Sequence, residues 1–378
     1  MSDPTGCDFL VIGAGIAGAS IAYWLAPHGR TVVLERETQP GYHSTGRSAA
    51  QYIATYGTPQ VSALTLASRS FFDHPPEGFT DTPILSRRGA LTVGLAGQED
   101  LLDEAWKVLC SVTGSGQRLG ADAACTMLPV LRRDRVIGAV HEPESYDMDV
   151  HALHHGFLRG FKRAGGRVVT EAEVTAVARE GARWRVQAGG ADYEAPVVVN
   201  AAGAWCDALA SMAGVRPIGL VPRRRTAFTF KPPQGLDVGG WPLVIAADSR
   251  FYFKPDAGQL LGSPANVDPT EPQDVQPEEL DVAHGVHHLE ENTTLHVRPA
   301  HAWAGLRSFV ADGDLVAGFD PDAPGFFWCA GQGGYGIQTA PAMGEGGAAL
   351  VRGLPLPAHL LHVGLTAAML SPSRLRRS

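Results

Sequence analysis

Residues 8–35 leave this chain little choice of fold. Asp8 to Ile12 (DFLVI) is a short, almost wholly apolar run, the pattern of a parallel strand buried on both faces. It leads directly into Gly13-Ala14-Gly15-Ile16-Ala17-Gly18, then into a helical stretch whose Ile16, Ala19, Ala22, Tyr23 and Leu25 mark a buried side. Thr31 to Glu35 (TVVLE) supplies a second strand. Glycine at 13 permits a tight turn, at 15 lets backbone approach a pyrophosphate, and at 18 lets helix and strand pack closely. Phosphate charge then sits at a helix N-terminus, where free N–H groups and the helix dipole favour it.

Glu35 lies 22 residues after Gly13, at the end of the second strand, where a carboxylate accepts hydrogen bonds from adenosine ribose hydroxyls and disfavours a 2′-phosphate. A lone Gly-x-Gly-x-x-Gly is weak evidence. Strand, glycines, helix, strand and acid within one unit of roughly 30 residues are specific for a dinucleotide.

With 378 residues, the chain should form two or three domains at roughly 150 residues each. Its 44% apolar and 19% charged residues suit a compact protein. The formal charge of −8 excludes a whole-face attraction for nucleic acid, since arginines cluster only at 223–225 and 374–377. Cys7, Cys110, Cys125, Cys206 and Cys329 are odd in number and include no C-x-x-C pair, which argues against a disulfide framework or zinc site and fits a reducing compartment. No basic leader and no apolar run of the roughly 18 to 20 residues that span a bilayer are evident, so the expectation is a cytoplasmic protein without a transmembrane segment.

Later segments favour FAD over NAD. Gly41 to Ala50 (GYHSTGRSAA) could set backbone N–H groups and Ser44, Thr45 and Ser48 against a second phosphate and an isoalloxazine. Asp149 to Gly165 reads as a helix, followed by a strand over Arg167 to Val177. Val197 to Gly203 (VVVNAAG) is another buried strand closing on small residues. Phe326 to Ala330 (FFWCA) enters Gly331-Gln332-Gly333-Gly334-Tyr335-Gly336-Ile337 and a helix. That helix N-terminus could stabilise the negative charge of a reduced flavin.

These segments, together with FYFKPDAG, LLGSPAN and HAWAGLRSFVADGDLVAG, resemble the D-amino-acid oxidase and glycine oxidase group of flavoproteins over essentially the full length, and within it the bacterial D-arginine dehydrogenases. The resemblance implies an α/β fold with a Rossmann-like FAD-binding domain (1–84, 148–215 and 318–370) and a second α+β substrate domain on an antiparallel sheet (85–147 and 216–317). It implies FAD contacts at Gly13, Gly15, Ala17, Gly18, Glu35, Arg36, Ser44, Thr45, Gly46, Arg47, Ser48, Ala49, Ala50, Gln51, Val174, Ala202, Gly203, Gly333, Gly334, Tyr335, Gly336, Ile337 and Gln338.

Period-two alternation in Arg225 to Lys231 and Arg250 to Lys254 predicts an antiparallel sheet exposed on one face, covering the flavin. Arginine suits a substrate carboxylate because its planar fork binds both oxygens. The resemblance places that role on Arg225, Arg307, Tyr56 and Tyr252, with Gly334 contacting substrate; Arg223 is a register alternative to Arg225. Cys329 reads as a buried strand cysteine before a flavin attachment point.

The implied reaction is hydride transfer from Cα of a D-amino acid to flavin N5, giving a 2-oxo acid and ammonia, with an unidentified electron acceptor. Two positions depart from the D-arginine dehydrogenase pattern: Ala90 stands where an acid reads the distal guanidinium, and Gln51 where a histidine is expected. Ala90 shifts the expectation towards uncharged side chains. The alternatives are a glycine- or sarcosine-type amine oxidoreductase, a 2-hydroxy-acid oxidoreductase, and an electron-transfer flavin subunit.

Overall fold

The computed structural model describes residues 4–376. The apolar runs recognised in the sequence form the middle of a six-stranded sheet in the order Arg167–Val169, Thr31–Leu34, Phe9–Ile12, Val197–Asn200, Phe326–Ala330, Val316–Phe319. The first five are parallel, and Val316–Phe319 closes the edge antiparallel. Strand alternation sends Leu10, Ile12, Val198, Phe326 and Trp328 to one face and Val11, Val33, Val199, Phe327 and Cys329 to the other. The second face is covered by helices Ile16–Leu25 and Gly336–Val351. Val177, Trp184, Val186 and Tyr193 of a small four-stranded sheet cover the first. This is a Rossmann-like layering, with both faces of a mainly parallel sheet buried.

One expected strand is two. The chain leaves the parallel sheet at Val169 and joins the four-stranded sheet at Val174. Between them Glu171 takes φ +53°. Its N–H bonds Glu37 O at 3.0 Å, and Ala172 N–H bonds Glu35 O at 2.8 Å. The backbone here ties down the segment beyond the Thr31–Leu34 strand instead of continuing the ladder.

All nine strands of the second large sheet fall within 90–142 or 221–309. Its pairings are antiparallel except Leu243–Ala246 with Ala90–Leu95. Phe228, Phe230, Phe253 and Leu260 face helices Ala121–Met127 and Glu279–Asn292. The opposite face, expected to be exposed and to cover the flavin, is enclosed. Arg225, Ala227 and Tyr252 line a cavity shared with Ile16 and Gly333 of the first domain, and Lys254 is only 4% exposed. Alternating polarity here marks a polar internal surface.

Phe228 packs so closely on Gly285 that a Cβ there would lie 2.6 Å from the ring. Alanine for glycine inside a helix ordinarily gains about 1 kcal/mol. Gly285→Ala should instead destabilise by about 1–3 kcal/mol through overpacking, and a raised Tm would contradict this packing.

Candidate functional site

The nucleotide loop is shaped by contacts that side chains would prevent. Gly13 has φ +101°, and a Cβ on it would lie 2.4 Å from Ala201 O; one on Gly18 would lie 1.8 Å from Gly13 O. The main chain of Ala14 is pinned on both sides: its N–H donates to Glu35 Oε2 at 2.8 Å, and its carbonyl lies 2.8 Å from His154 Nε2. Since that oxygen can only accept, Nε2 carries the proton. Burial pushes the His154 pKa down to about 4, so the imidazole is neutral at physiological pH.

A cavity opens beside this loop. Its walls include Gly13, Gly15, Ala17, Glu35, Arg36, Ser44, Thr45, Val174, Ala202, Gly203 and Gly333. The helix N-terminus has no side-chain cap at Gly15, although Thr45 Oγ1 accepts from Ile16 N–H at 3.0 Å. Glycine clearance, a helix N-terminus and the acid at 35 fit the ADP portion of FAD.

Trp205, Leu209 and Met212 also line the wall, as do Ala172 and Glu173, none of which sequence reasoning singled out. The spacing of the first three along one helical face was the available signal. The Arg36 guanidinium lies 4.6 Å from the Trp205 ring centroid.

A second cavity shares Ile16, Ser44, Thr45, Leu306, Gln332 and Gly333 with the first and adds Arg47, Ser48, Ala49, Arg225, Tyr252, Arg307, Gly334, Gly336 and Ile337. Several residues expected at the flavin are not in the lining of either cavity. Gly46 N–H closes a turn onto Gly41 O at 2.8 Å. Ala50 takes φ +35° and leads into a short sheet, where Gln51 bonds Asp147. Asp147 in turn accepts from Lys254 Nζ at 2.8 Å and Arg88 Nη2 at 2.6 Å. Gln338 is buried against Ile53 and Thr65. Tyr335 packs edge-on to Tyr56, with ring centroids 5.0 Å apart. Cys329 is buried under the helices, and burial pushes its thiol up to about 12.

The four side chains expected to hold a carboxylate converge. Arg307 Nη1 donates to the Tyr56 hydroxyl at 3.0 Å, and Tyr252 and Arg225 line the same cavity. Arg223 turns away, donating to Val267 O at 3.1 Å. Burial lowers the Arg225 pKa and the Arg307 guanidinium lowers it further. Burial pushes the Tyr56 phenol up, but the Arg307 and Arg225 charges outweigh it and hold it below the usual tyrosine range. Among the described residues, neither guanidinium has a carboxylate within 4.0 Å, unlike Arg47, Arg88 and Arg224. The cavity therefore presents two cationic forks that an anion would satisfy.

The family model described as FAD dependent oxidoreductase matches residues 8–350. Among curated relatives, FAD-dependent oxidoreductase domain-containing protein 1 of Bos taurus is 26% identical, covering 97% of this chain and 85% of its own length. A glycine oxidase of Bacillus licheniformis is 25% identical, covering 92% and 94%. Among solved structures, L-proline dehydrogenase from P. horikoshii superposes with a TM-score of 0.84 at 21% identity over 99% of each chain.

His154 makes the nucleotide loop sensitive to acid. Its folded pKa lies below the unfolded value, so the unfolded state binds the proton first and stability falls as pH drops from about 6.5 towards 4. Between pH 7 and 4.5 this group should remove about 2 kcal/mol of stability. His154→Gln keeps a donor for Ala14 O and does not titrate, so its Tm should fall less over that interval; an equal fall would refute the assignment.

Proposed function

Because the chain belongs to the family of FAD-dependent oxidoreductases, we propose that it oxidises a small D-amino acid with an uncharged side chain. The products are a 2-oxo acid and ammonia, formed when the imino acid meets water. The observation that carries this reading is the pair Arg225 and Arg307, facing one cavity beside Gly333 and Gly334 without an acidic partner. A carboxylate seated between two planar forks has its Cα fixed in direction, which removes much of the orientational cost of reaction.

Bound FAD supplies the two-electron acceptor for this oxidation. The chain's own part is to hold the carboxylate, keep the Tyr56 hydroxyl at the Arg307 edge and enclose the reacting carbon. Arg307 donates to the Tyr56 oxygen, so the phenolic proton stays available to a substrate oxygen.

The preference for an uncharged side chain draws on Ala90. The residue opposite it in the ladder is Glu142, which is 5% exposed and accepts from Thr55 Oγ1 at 2.5 Å. Burial raises the Glu142 pKa, although Thr55 and nearby backbone groups oppose the shift. A carboxyl already bonded and biased towards its neutral form is a poor counter-charge for a distal cation. The full-length glycine oxidase relative favours a second reading, in which the substrate is an amine without a stereocentre at Cα.

Anaerobic reduction of the flavin by a panel of substrates tests these readings. D-methionine, D-phenylalanine or D-proline should bleach it at lower concentration than D-arginine by roughly tenfold or more. D-arginine in the lead would refute the argument from Ala90, and glycine or sarcosine in the lead would replace the D-amino acid reading. Reduction by a 2-hydroxy acid alone would overturn both.

The amine must lose its proton before Cα can give up a hydride. The reduction rate should therefore rise with pH until that proton is gone, and a pH-independent rate would contradict it.

A further inference from the structure

The mechanism so far leaves unexplained what keeps Arg225 aimed at the substrate. It lies beside a second guanidinium that repels it, and it has no carboxylate to hold it. Its Nε donates to the main-chain oxygen of Asn266 at 2.7 Å. With Nε engaged, the guanidinium offers only its two terminal nitrogens, the edge that grips a carboxylate end-on with two parallel bonds.

The Asn266 carbonyl reaches that point because the preceding residue is bent unusually. Ala265 has φ +51°, a conformation that residues other than glycine rarely adopt. Such strain persists only where the surroundings impose it, and it concentrates at functional sites. Here the surroundings are explicit. Ser263 Oγ donates to Thr226 O at 2.6 Å and accepts from Ala265 N–H at 3.0 Å. The Asn266 side chain accepts from Thr226 N–H at 2.8 Å and donates to Asp281 at 3.0 Å and Asp268 at 2.9 Å. Asp281, 7% exposed in the first turn of the helix Glu279–Asn292, also accepts from Thr226 Oγ1 and Arg224 Nε, both at 2.8 Å. The arrangement is thus anchored to the strand that carries Arg225 and to the helix behind the sheet.

We propose that the Ser263–Asn266 turn, braced by Asp281, is a positioning device that fixes Arg225 end-on to the substrate carboxylate. It rests on the reading of Arg225 as a carboxylate ligand. Asn266 and Asp281 touch no substrate; they act through Arg225.

The test uses FAD-loaded enzyme and two readouts: the Kd for acetate, followed by perturbation of the flavin absorbance, and the steady-state constants for the best amino acid of the panel. Asn266→Asp removes the two N–H donors and sets a third carboxylate against Asp281 and Asp268. It should weaken acetate binding and raise KM by roughly tenfold, with kcat within about twofold, the pattern of lost ground-state and transition-state binding together. Ala265→Gly relaxes the strained turn without adding bulk. It should keep or raise Tm while weakening acetate binding roughly threefold, a response that a purely structural turn would not give.

Arg225→Gln separates the two claims. If it leaves acetate binding unchanged, the carboxylate role of Arg225 fails. If it weakens binding while both Asn266→Asp and Ala265→Gly bind acetate as the parent does, the positioning role is overturned. Should Asn266→Asp not fold, Ala265→Gly decides alone.

Discussion

Main-chain N–H groups can hold a pyrophosphate only where a helix and a strand approach more closely than a β-carbon allows. In this chain that approach occurs around Gly13, Gly18 and Ala201, where a Cβ on either glycine would strike a backbone carbonyl. The location is set by sheet order. Phe9–Ile12, Val197–Asn200 and Phe326–Ala330 are neighbours, and each releases a small-residue segment from its carboxyl end. Three segments widely separated along the chain thus meet at one edge, where ligands of open α/β sheets bind. The rest of the molecule is placed relative to that edge.

The surroundings of the two large sheets handle charge in different ways. The nucleotide side uses backbone and the buried Glu35 and His154, which hold the main chain of Ala14 from either side. The other side uses side chains carried on adjacent strands, with Arg225 on Val221–Phe230 and Arg307 on Pro299–Phe309. Register puts Arg225 opposite Gly305, two residues from Arg307, a stagger of roughly 7 Å along the strand. Rigid strands are a sound platform for groups that must not drift with respect to a reacting carbon.

Local patterns in the sequence revealed the nucleotide half well, because close backbone approach demands glycine and buried parallel strands demand continuous apolar runs. They revealed the second sheet as strands, but period-two alternation alone read its polar face as exposed. Alternation distinguishes two faces without saying whether the polar one meets water or a cavity. Arg223 and Arg225 share a face, so periodicity could not choose between them; the Asn266 and Val267 carbonyls, remote in sequence, take one each. The break after Val169 was likewise hidden, since valines occur on both sides of the turn at Glu171 and no glycine or proline marks it. Gln51 and Gln338 sit within motifs next to the cavity, yet their side chains serve neighbouring backbone and Asp147.

The surrounding charges explain why the two cavity arginines stand apart. Several other buried or half-buried cations have carboxylate partners: Lys254 and Arg88 have Asp147, Arg224 has Asp281, and Arg376 has Asp320. Leaving a buried cation without an anion costs stability that folding alone does not return. Arg225 and Arg307 share one cavity, and the Arg307 charge raises that cost for Arg225 by repulsion. Tyrosine hydroxyls and a carbonyl satisfy part of their hydrogen-bonding capacity and none of their charge. A site that keeps two guanidiniums facing one space must recover the cost when an anion enters, and it recovers most from a small carboxylate that engages both forks at once.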